Sequence, residues 1–260
     1  TIQHTLSLHD ALPILAACDE LDGLKDGVIA NPQACTFSPA ALQCGAPGAS
    51  ADPALCLSAA QVGTLASMLS DLKLSDGTLI YSHYSWADFS AFGPSFGALG
   101  GGFALLGTGD AAWLTTAGQN AFAPDTDYPL IAAGLQRIGA DHDKAAIAAW
   151  VASGKKLISW HAGQDNLLSA NDHVRNYTTM LGIARSKGLA DTAAATRFFI
   201  IPGATHGKGS TLQEVDWASA IMDWMEKGTA PQQLTYTFKS GDTTRSMPVC
   251  QYPAFPRYNG

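Results

Sequence analysis

With 260 residues and a formal charge of −7, the chain is long enough for one large α/β domain or for a domain carrying a sizeable insertion. The acidic balance, without any Lys/Arg run longer than two, excludes nucleic acid and anionic membrane surfaces as partners and leaves a neutral or aromatic small molecule. Hydrophobic residues make up 47% against 14% charged, yet no apolar run approaches the roughly 18 residues that cross a bilayer; that balance suits a secreted or periplasmic bacterial enzyme.

Residues 1–13 have neither the basic start nor the clean apolar segment of a signal peptide, and no Met. They read as a non-native lead-in to a chain that begins mid-protein. Residues 14–57 are dense in Cys, Pro, Gly and Asp and predict loops and short turns whose order comes from staples or metal. Within them CDELDGLKDGVIANPQAC, residues 18–35, sets Asp19, Glu20, Asp22 and Asp26 between Cys18 and Cys35. Four of the five cysteines fall between residues 18 and 56 without a CxxC pair, so disulfides are expected, and nearest-neighbour pairing gives Cys18–Cys35 and Cys44–Cys56. Cys250 is then left over, its partner expected beyond the C-terminus.

Ser58 with Gln61 three residues on forms a capping box, and Val62, Leu65 and Leu69 follow at helical spacing. Residues 78–124 mix aromatic side chains with the glycine-rich GALGGGFALLGTG and suggest a lid or insertion rather than a regular layer. Beyond Asp125 the rhythm alternates. HDKAAIAAWVASG predicts a helix ended by Gly154, KKLISW (155–160) a buried strand, and NDHVRNYTTMLGIARSKG a helix capped by Asn171. TRFFIIPG predicts a second apolar strand and LQEVDWASAIMDWMEKG a helix ended by Gly228. Strands apolar on both faces between helices argue for a parallel sheet covered by helices. QLTYTFKSGDTTRSMPV predicts a hairpin turning at Ser240-Gly241.

Polar residues follow both predicted strands, where open α/β sheets place their ligands. WHAGQDNLL puts Asp165 just past the first strand, and PGATHGKGS puts His206 just past the second. This is the acid-then-base order of an α/β-hydrolase, in which an imidazole takes the nucleophile's proton and a carboxylate fixes its tautomer. A lone histidine after a strand is usually a turn or packing residue; the paired carboxylate and the flanking Gly163, Gly203, Gly207 and Gly209 favour catalysis. His161 is a competing base, better suited to a structural hydrogen bond at the strand end. His83, His142 and His173 read as surface or lid residues.

The segments GKKLISWHAGQDNLLSANDHVRNYTTM and FFIIPGATHGKGS, with CDELDGLKDGVIANPQAC upstream, resemble the tannase and feruloyl esterase family, which includes hydrolases of terephthalate monoesters. The resemblance runs from about Ile14 to Gly260. It implies a secreted serine esterase with an α/β-hydrolase core, a lid inserted between core strands and a structural calcium in the lid. By motif Asp165 is the triad acid and His206 the base. Asp19, Asp22 and Asp26, with the carbonyls of Leu24 and Val28, would then supply hard oxygen ligands to Ca2+. The loop is no EF-hand, since position twelve counted from Asp19 is Ala30. Without the resemblance, two Asp-Gly turns with solvated carboxylates would explain the same residues.

Two departures matter. Gly207 stands where many members carry a cysteine after the base, so the active-site disulfide of that subgroup is not expected. No residue between Thr1 and Cys18 suits a nucleophile elbow, and the oxyanion-hole segment is missing with it. GPSFG (93–97) satisfies G-x-S-x-G, but Ser95 is expected to lack the strand before and the helix after that an elbow needs. The expectation is therefore a fragment of an α/β-hydrolase: lead-in 1–13, calcium-stabilised lid 14–124, and C-terminal core 125–260. The complete enzyme would hydrolyse esters of aromatic or hydroxycinnamic acids, with Tyr81, Tyr84, Trp86 and Phe89 gripping the ring. The rival is a non-catalytic, calcium-stabilised secreted binding domain. A third and weaker reading is a different enzyme built on Ser95.

Overall fold

The computed structural model describes residues 8–87, 89, 94–140 and 143–259, and the side chains of 8–12 and 94–99 are outside that description. Helix α1, Leu8–Cys18, runs across the boundary expected at residue 14 into the segment predicted as loop. Ile14 and Cys18, one turn apart, both bury into a core with Ile29, Leu42, Leu57, Val62, Leu65, Trp86 and Phe89, which orders the turn despite Pro13. Disulfides Cys18–Cys35 and Cys44–Cys56 frame the rest of the segment, which folds as short 3-10 turns; Cys250 is free. Helix α2, Ala59–Met68, starts with the expected capping box: Gln61 N–H donates to Ser58 Oγ and Ser58 N–H to Gln61 Oε1.

After the short hairpin β1 (Leu72–Lys73) and β2 (Leu79–Tyr81) comes the largest departure from expectation. The glycine-rich stretch is a regular helix, α3, Pro94–Thr108, followed by α4 (Thr116–Asn120) and α5 (Pro124–Arg137). Two of its glycines, Gly101 and Gly107, act by close approach, to the Trp113 and Ile131 carbonyls. A Cβ on Gly134 would lie 1.6 Å from the Gly107 carbonyl oxygen, so α3 and α5 cross where only hydrogen atoms separate their backbones. That contact offsets the roughly 0.5–1 kcal/mol each interior glycine costs a helix.

The remaining chain supplies the α/β part. Helix α6, Lys144–Ala152, leads to β3, Leu157–Ala162, which runs two residues beyond the predicted strand. Helix α7, Ala170–Ser186, is capped by Ser169, whose Oγ accepts from Asp172 N, not by Asn171. Asn171 instead donates to the His83 carbonyl and accepts from Gln33. Strand β4, Thr196–Ile201, pairs with β3 in parallel, from Leu157 opposite Thr196 to Ala162 opposite Ile201. Helix α8, Trp217–Lys227, begins five residues later than predicted, because Asp216 caps it and Thr211–Glu214 close a turn of their own. Gly228 ends it in the left-handed conformation.

The hairpin of β5 (Gln233–Ser240) and β6 (Thr243–Cys250) turns on Gly241-Asp242, with Ser240 still paired to Thr243. It joins β4 through the Tyr252 N–H donated to the Phe198 carbonyl. One face of the β3–β4 pair packs on α6 and α7, and the other meets Val215, Tyr236 and Val249.

Candidate active site

Parallel pairing in register brings the ends of β3 and β4 side by side, so the loops after them start from one edge. Gly163 N–H donates to the Ile201 carbonyl and Gln164 N–H to the Ala204 carbonyl, which zips the two loops together past the last ladder pair. A Cβ at Gly163 would meet that carbonyl at 3.0 Å. Asp165 then lies directly opposite His206. His206 Nδ1 is 3.1 Å from Oδ1 and 3.0 Å from Oδ2 of Asp165.

The carboxylate is 7% exposed. Its Oδ1 also accepts the N–H groups of Leu167 at 2.8 Å and Leu168 at 2.9 Å. Burying a carboxylate demands such donors, and each hydrogen bond to a charged group contributes about 1.5–3 kcal/mol. With Nδ1–H donated to Asp165, the Nε2 of neutral His206 is left as a proton acceptor. The His206 side chain is nearly half exposed, and among the described residues no serine hydroxyl is in hydrogen-bond contact with it.

The β2 hairpin strand and the residues just after it reach the same loop. Tyr84 OH donates to the Leu167 carbonyl, and Ser169 N–H donates to Tyr81 Oη. Burial pushes both phenols up from their ordinary range. Asp172, buried on α7, accepts Ser82 N–H and the Arg175 guanidinium, and Arg175 in turn donates to the Ile80 carbonyl. Of the four aromatic residues expected to grip a substrate ring, Tyr81 and Tyr84 therefore place their hydroxyls on the backbone after the acid. Trp86 and Phe89 lie in the core that Ile14, Leu42 and Leu65 share, with Trp86 Nε1 donating to the Phe37 carbonyl. Tyr84, Phe37 and Trp86 also wall a cavity of 460 Å3 between α2 and the Cys18–Cys35 segment.

Ser95 falls in the first turn of α3, so a helix does follow it, contrary to expectation. That helix packs on α5 and on the 111–114 turn. Its side chain, like His142, is outside the described residues. His83 is an exposed residue paired with Asp71. His173 is half-buried rather than exposed: it sits beneath β3, 2.9 Å from His161. The alternation of Ser159 and His161 on one strand face was the signal for it, unusable until α7 was placed.

In the acid-rich loop Asp19 is 4% exposed and accepts the N–H groups of Asp26, Gly27 and Val28. Asp22 Oδ1 accepts Leu24 N–H. Asp26 pairs with Arg245 of β6, a partner 219 residues away that the sequence did not suggest. Among the described residues no three acidic, histidine or cysteine side chains converge as a cage. The loop's four carboxylates, Asp19, Glu20, Asp22 and Asp26, are oxygen donors of the hard kind that Ca2+ takes, so the donor type, though not a converged cage, fits that ion.

The family model for tannase and feruloyl esterase matches residues 7–122 and 138–260. A probable feruloyl esterase of Arthroderma benhamiae is 28% identical over 271 residues, covering 95% of this chain and 48% of that protein. A mono(2-hydroxyethyl) terephthalate hydrolase of Piscinibacter sakaiensis is 26% identical over 298 residues, again covering 95% of this chain and 48% of the relative. Among solved structures, a tannin acyl hydrolase from Aspergillus niger aligns with a TM-score of 0.71 at 20% identity, over 95% of this chain and 50% of the other. Feruloyl esterase B from Aspergillus oryzae gives 0.67 at 22% identity, over 97% and 53%. These two likenesses show a shared α/β fold. The chain spans about half the length of the curated relatives it matches.

Proposed function

The chain belongs to the tannase and feruloyl esterase family, and from that premise we propose that it carries the acid and base of a serine carboxylic-ester hydrolase. The observation that supports this most is the His206–Asp165 pair at the shared edge of two parallel strands. The nucleophilic serine and the oxyanion hole are supplied by polypeptide outside these 260 residues, in line with a chain about half as long as its relatives. His206 Nε2 takes the serine proton as Oγ attacks the ester carbonyl. The imidazolium, stabilised by Asp165, gives that proton to the departing alkoxide, and an acyl-enzyme remains. Water, deprotonated by the same Nε2, then releases the acid and regenerates the serine.

The proposed acyl group is aromatic or hydroxycinnamic, because lid aromatic side chains approach the acid loop. A structural Ca2+ belongs to the same reading, held by Asp19, Asp22 and Asp26 with the carbonyls of Leu24 and Val28; when bound it supplies charge that stabilises the loop. Two disulfides suit an oxidising compartment, and no described helix is long and apolar enough to cross a membrane; secretion or a periplasmic location is proposed. A non-catalytic binding domain would have no need of an imidazole aimed by a buried carboxylate.

The test is hydrolysis of aromatic esters by the full-length polypeptide that contains this chain. His206→Ala should lower kcat by about 10⁴- to 10⁶-fold with the fold intact. A folded variant with unchanged turnover would exclude the assignment.

A further inference from the structure

Behind Asp165 lies a second pair of imidazoles that the acid–base chemistry does not use. Side chains alternate along a strand, so Ser159 and His161 leave β3 on one face, toward α7 and His173. Ser159 Oγ is 2.9 Å from His173 Nε2, His173 Nδ1 is 2.9 Å from His161 Nδ1, and His161 Nε2 is 3.1 Å from the Leu168 carbonyl.

The proton positions along this row follow from its fixed end. A carbonyl only accepts, so His161 Nε2 carries hydrogen. A neutral imidazole carries one hydrogen, so His161 Nδ1 accepts and His173 Nδ1 must donate. His173 Nε2 then accepts from the Ser159 hydroxyl. The Leu168 peptide on which the row ends is the one whose N–H holds Asp165 Oδ1.

We infer that His161 and His173 are positioning residues, a neutral and tautomer-ordered imidazole pair that fixes the 167–168 peptides and so aims the Asp165 carboxylate at His206. This deepens the triad reading and rests on it. Neutrality matters because His161 Nε2 is also 3.6 Å from Asp165 Oδ2. A charged His161 would be a second cation on that carboxylate, in competition with the imidazolium that forms on His206.

The surroundings favour the neutral form. Burial lowers the pKa of His161; the Leu168 carbonyl and Asp165 oppose this, His206 adds to it, and Asp172 opposes it. Those groups, with His173, are the polar and ionisable neighbours from β3, α7 and the loop after β4. The phenols of Tyr81 and Tyr84 hold the far side of the same loop.

The experiment is 15N NMR of the histidine rings in the full-length polypeptide that contains this chain. At pH 7 His161 should show the Nε2–H tautomer and His173 the Nδ1–H tautomer, both neutral, while His206 shows a hydrogen-bonded Nδ1–H. His173→Phe keeps the ring volume and removes the donor; His161 should keep its Nε2–H, held by the Leu168 carbonyl, while its Nδ1 resonance shifts to that of an acceptor without a partner and the His206 Nδ1–H signal weakens or vanishes. His173→Asn, whose side-chain amide restores a donor at that position, should recover both signals, which simple repacking would not do.

A charged or Nδ1–H His161 in the unmodified chain would overturn the inference without any variant. So would a His173→Asn chain that behaves like His173→Phe. Failure of the triad reading looks different. Asp165→Asn would leave the His206 signal unchanged while the His161–His173 tautomers stay as assigned.

Discussion

Asp19 and Asp165 are both buried carboxylates that gather backbone N–H groups a few residues ahead of them, yet they end in different chemistry. Asp19 collects the amides of residues 26–28 and uses both of its oxygens on that turn. Asp165 collects two amides on Oδ1 and keeps a face toward His206. Local turn chemistry is much the same in the two places. What separates them is the element that delivers the next side chain: at Asp165 a second parallel strand ends alongside, whereas at Asp19 the disulfide-framed segment folds back on itself.

The sharpest way to break this comparison is to neutralise each carboxylate in the full-length polypeptide. Asp165→Asn should leave the fold standing and lower kcat by about 10⁴-fold, since an amide presents the wrong partner to the imidazole and disturbs its tautomer. Asp19→Asn should act in the opposite sense. Its amide meets the Gly27 N–H with a donor, which costs about 1–3 kcal/mol of stability, while the activity of the folded fraction is retained. Ester turnover and chemical denaturation of both variants separate the roles. Equal losses of activity at equal stability would show that the two carboxylates are not functionally distinct.

Next in size is the frame around Asp19. The Cys18–Cys35 bridge closes a sequence separation of 17 residues, for which the chain-entropy account gives about 3 kcal/mol. Cys35→Ser should lower the melting temperature by several degrees without altering the His206–Asp165 NMR signature. If that signature is lost together with the bridge, the two regions fold as one unit.

How much of this was legible beforehand follows the same division. Asp165 and His206 stood out because each follows an apolar strand and is flanked by glycine, both local signals. The two disulfides were legible from spacing. The Asp26–Arg245 pair was not, because nothing local marks a partner 219 residues away. Helix α3 was obscured by its own glycines: propensity argues against a helix there, and the contact of Gly107 with Gly134 that overrides it is tertiary. His173 was obscured for a related reason, since a histidine in the first turn of an amphipathic helix reads as exposed until β3 is packed against it.

Calcium offers a smaller effect on the same acid-rich loop. A ligand held only by the folded state at a hundred times its Kd adds about 2.7 kcal/mol. Chelation should therefore lower the melting temperature, and Asp22→Ala should remove the response to added Ca2+. Identical melting curves with chelator and with millimolar Ca2+ would leave the loop as hydrogen-bonded turns alone.

The smallest expected effect lies on the Asp165 side and comes from pH. Burial holds His161 below the ordinary histidine range, so on acidification the unfolded chain takes up a proton at this residue before the folded chain does. Where the unfolded state binds more protons, stability rises with pH. The contribution of His161 is thus fully present above about pH 6.5, the unperturbed value, and is lost as pH falls from there toward its lowered folded value. One proton limits the slope to about 1.4 kcal/mol per pH unit. Unfolding free energies measured from pH 8 to pH 5 should therefore fall more steeply below pH 6.5 for the unmodified chain than for His161→Gln, which has no proton to take up. Parallel curves would mean that His161 titrates alike in both states, and the neutral pair behind Asp165 would lose its thermodynamic support.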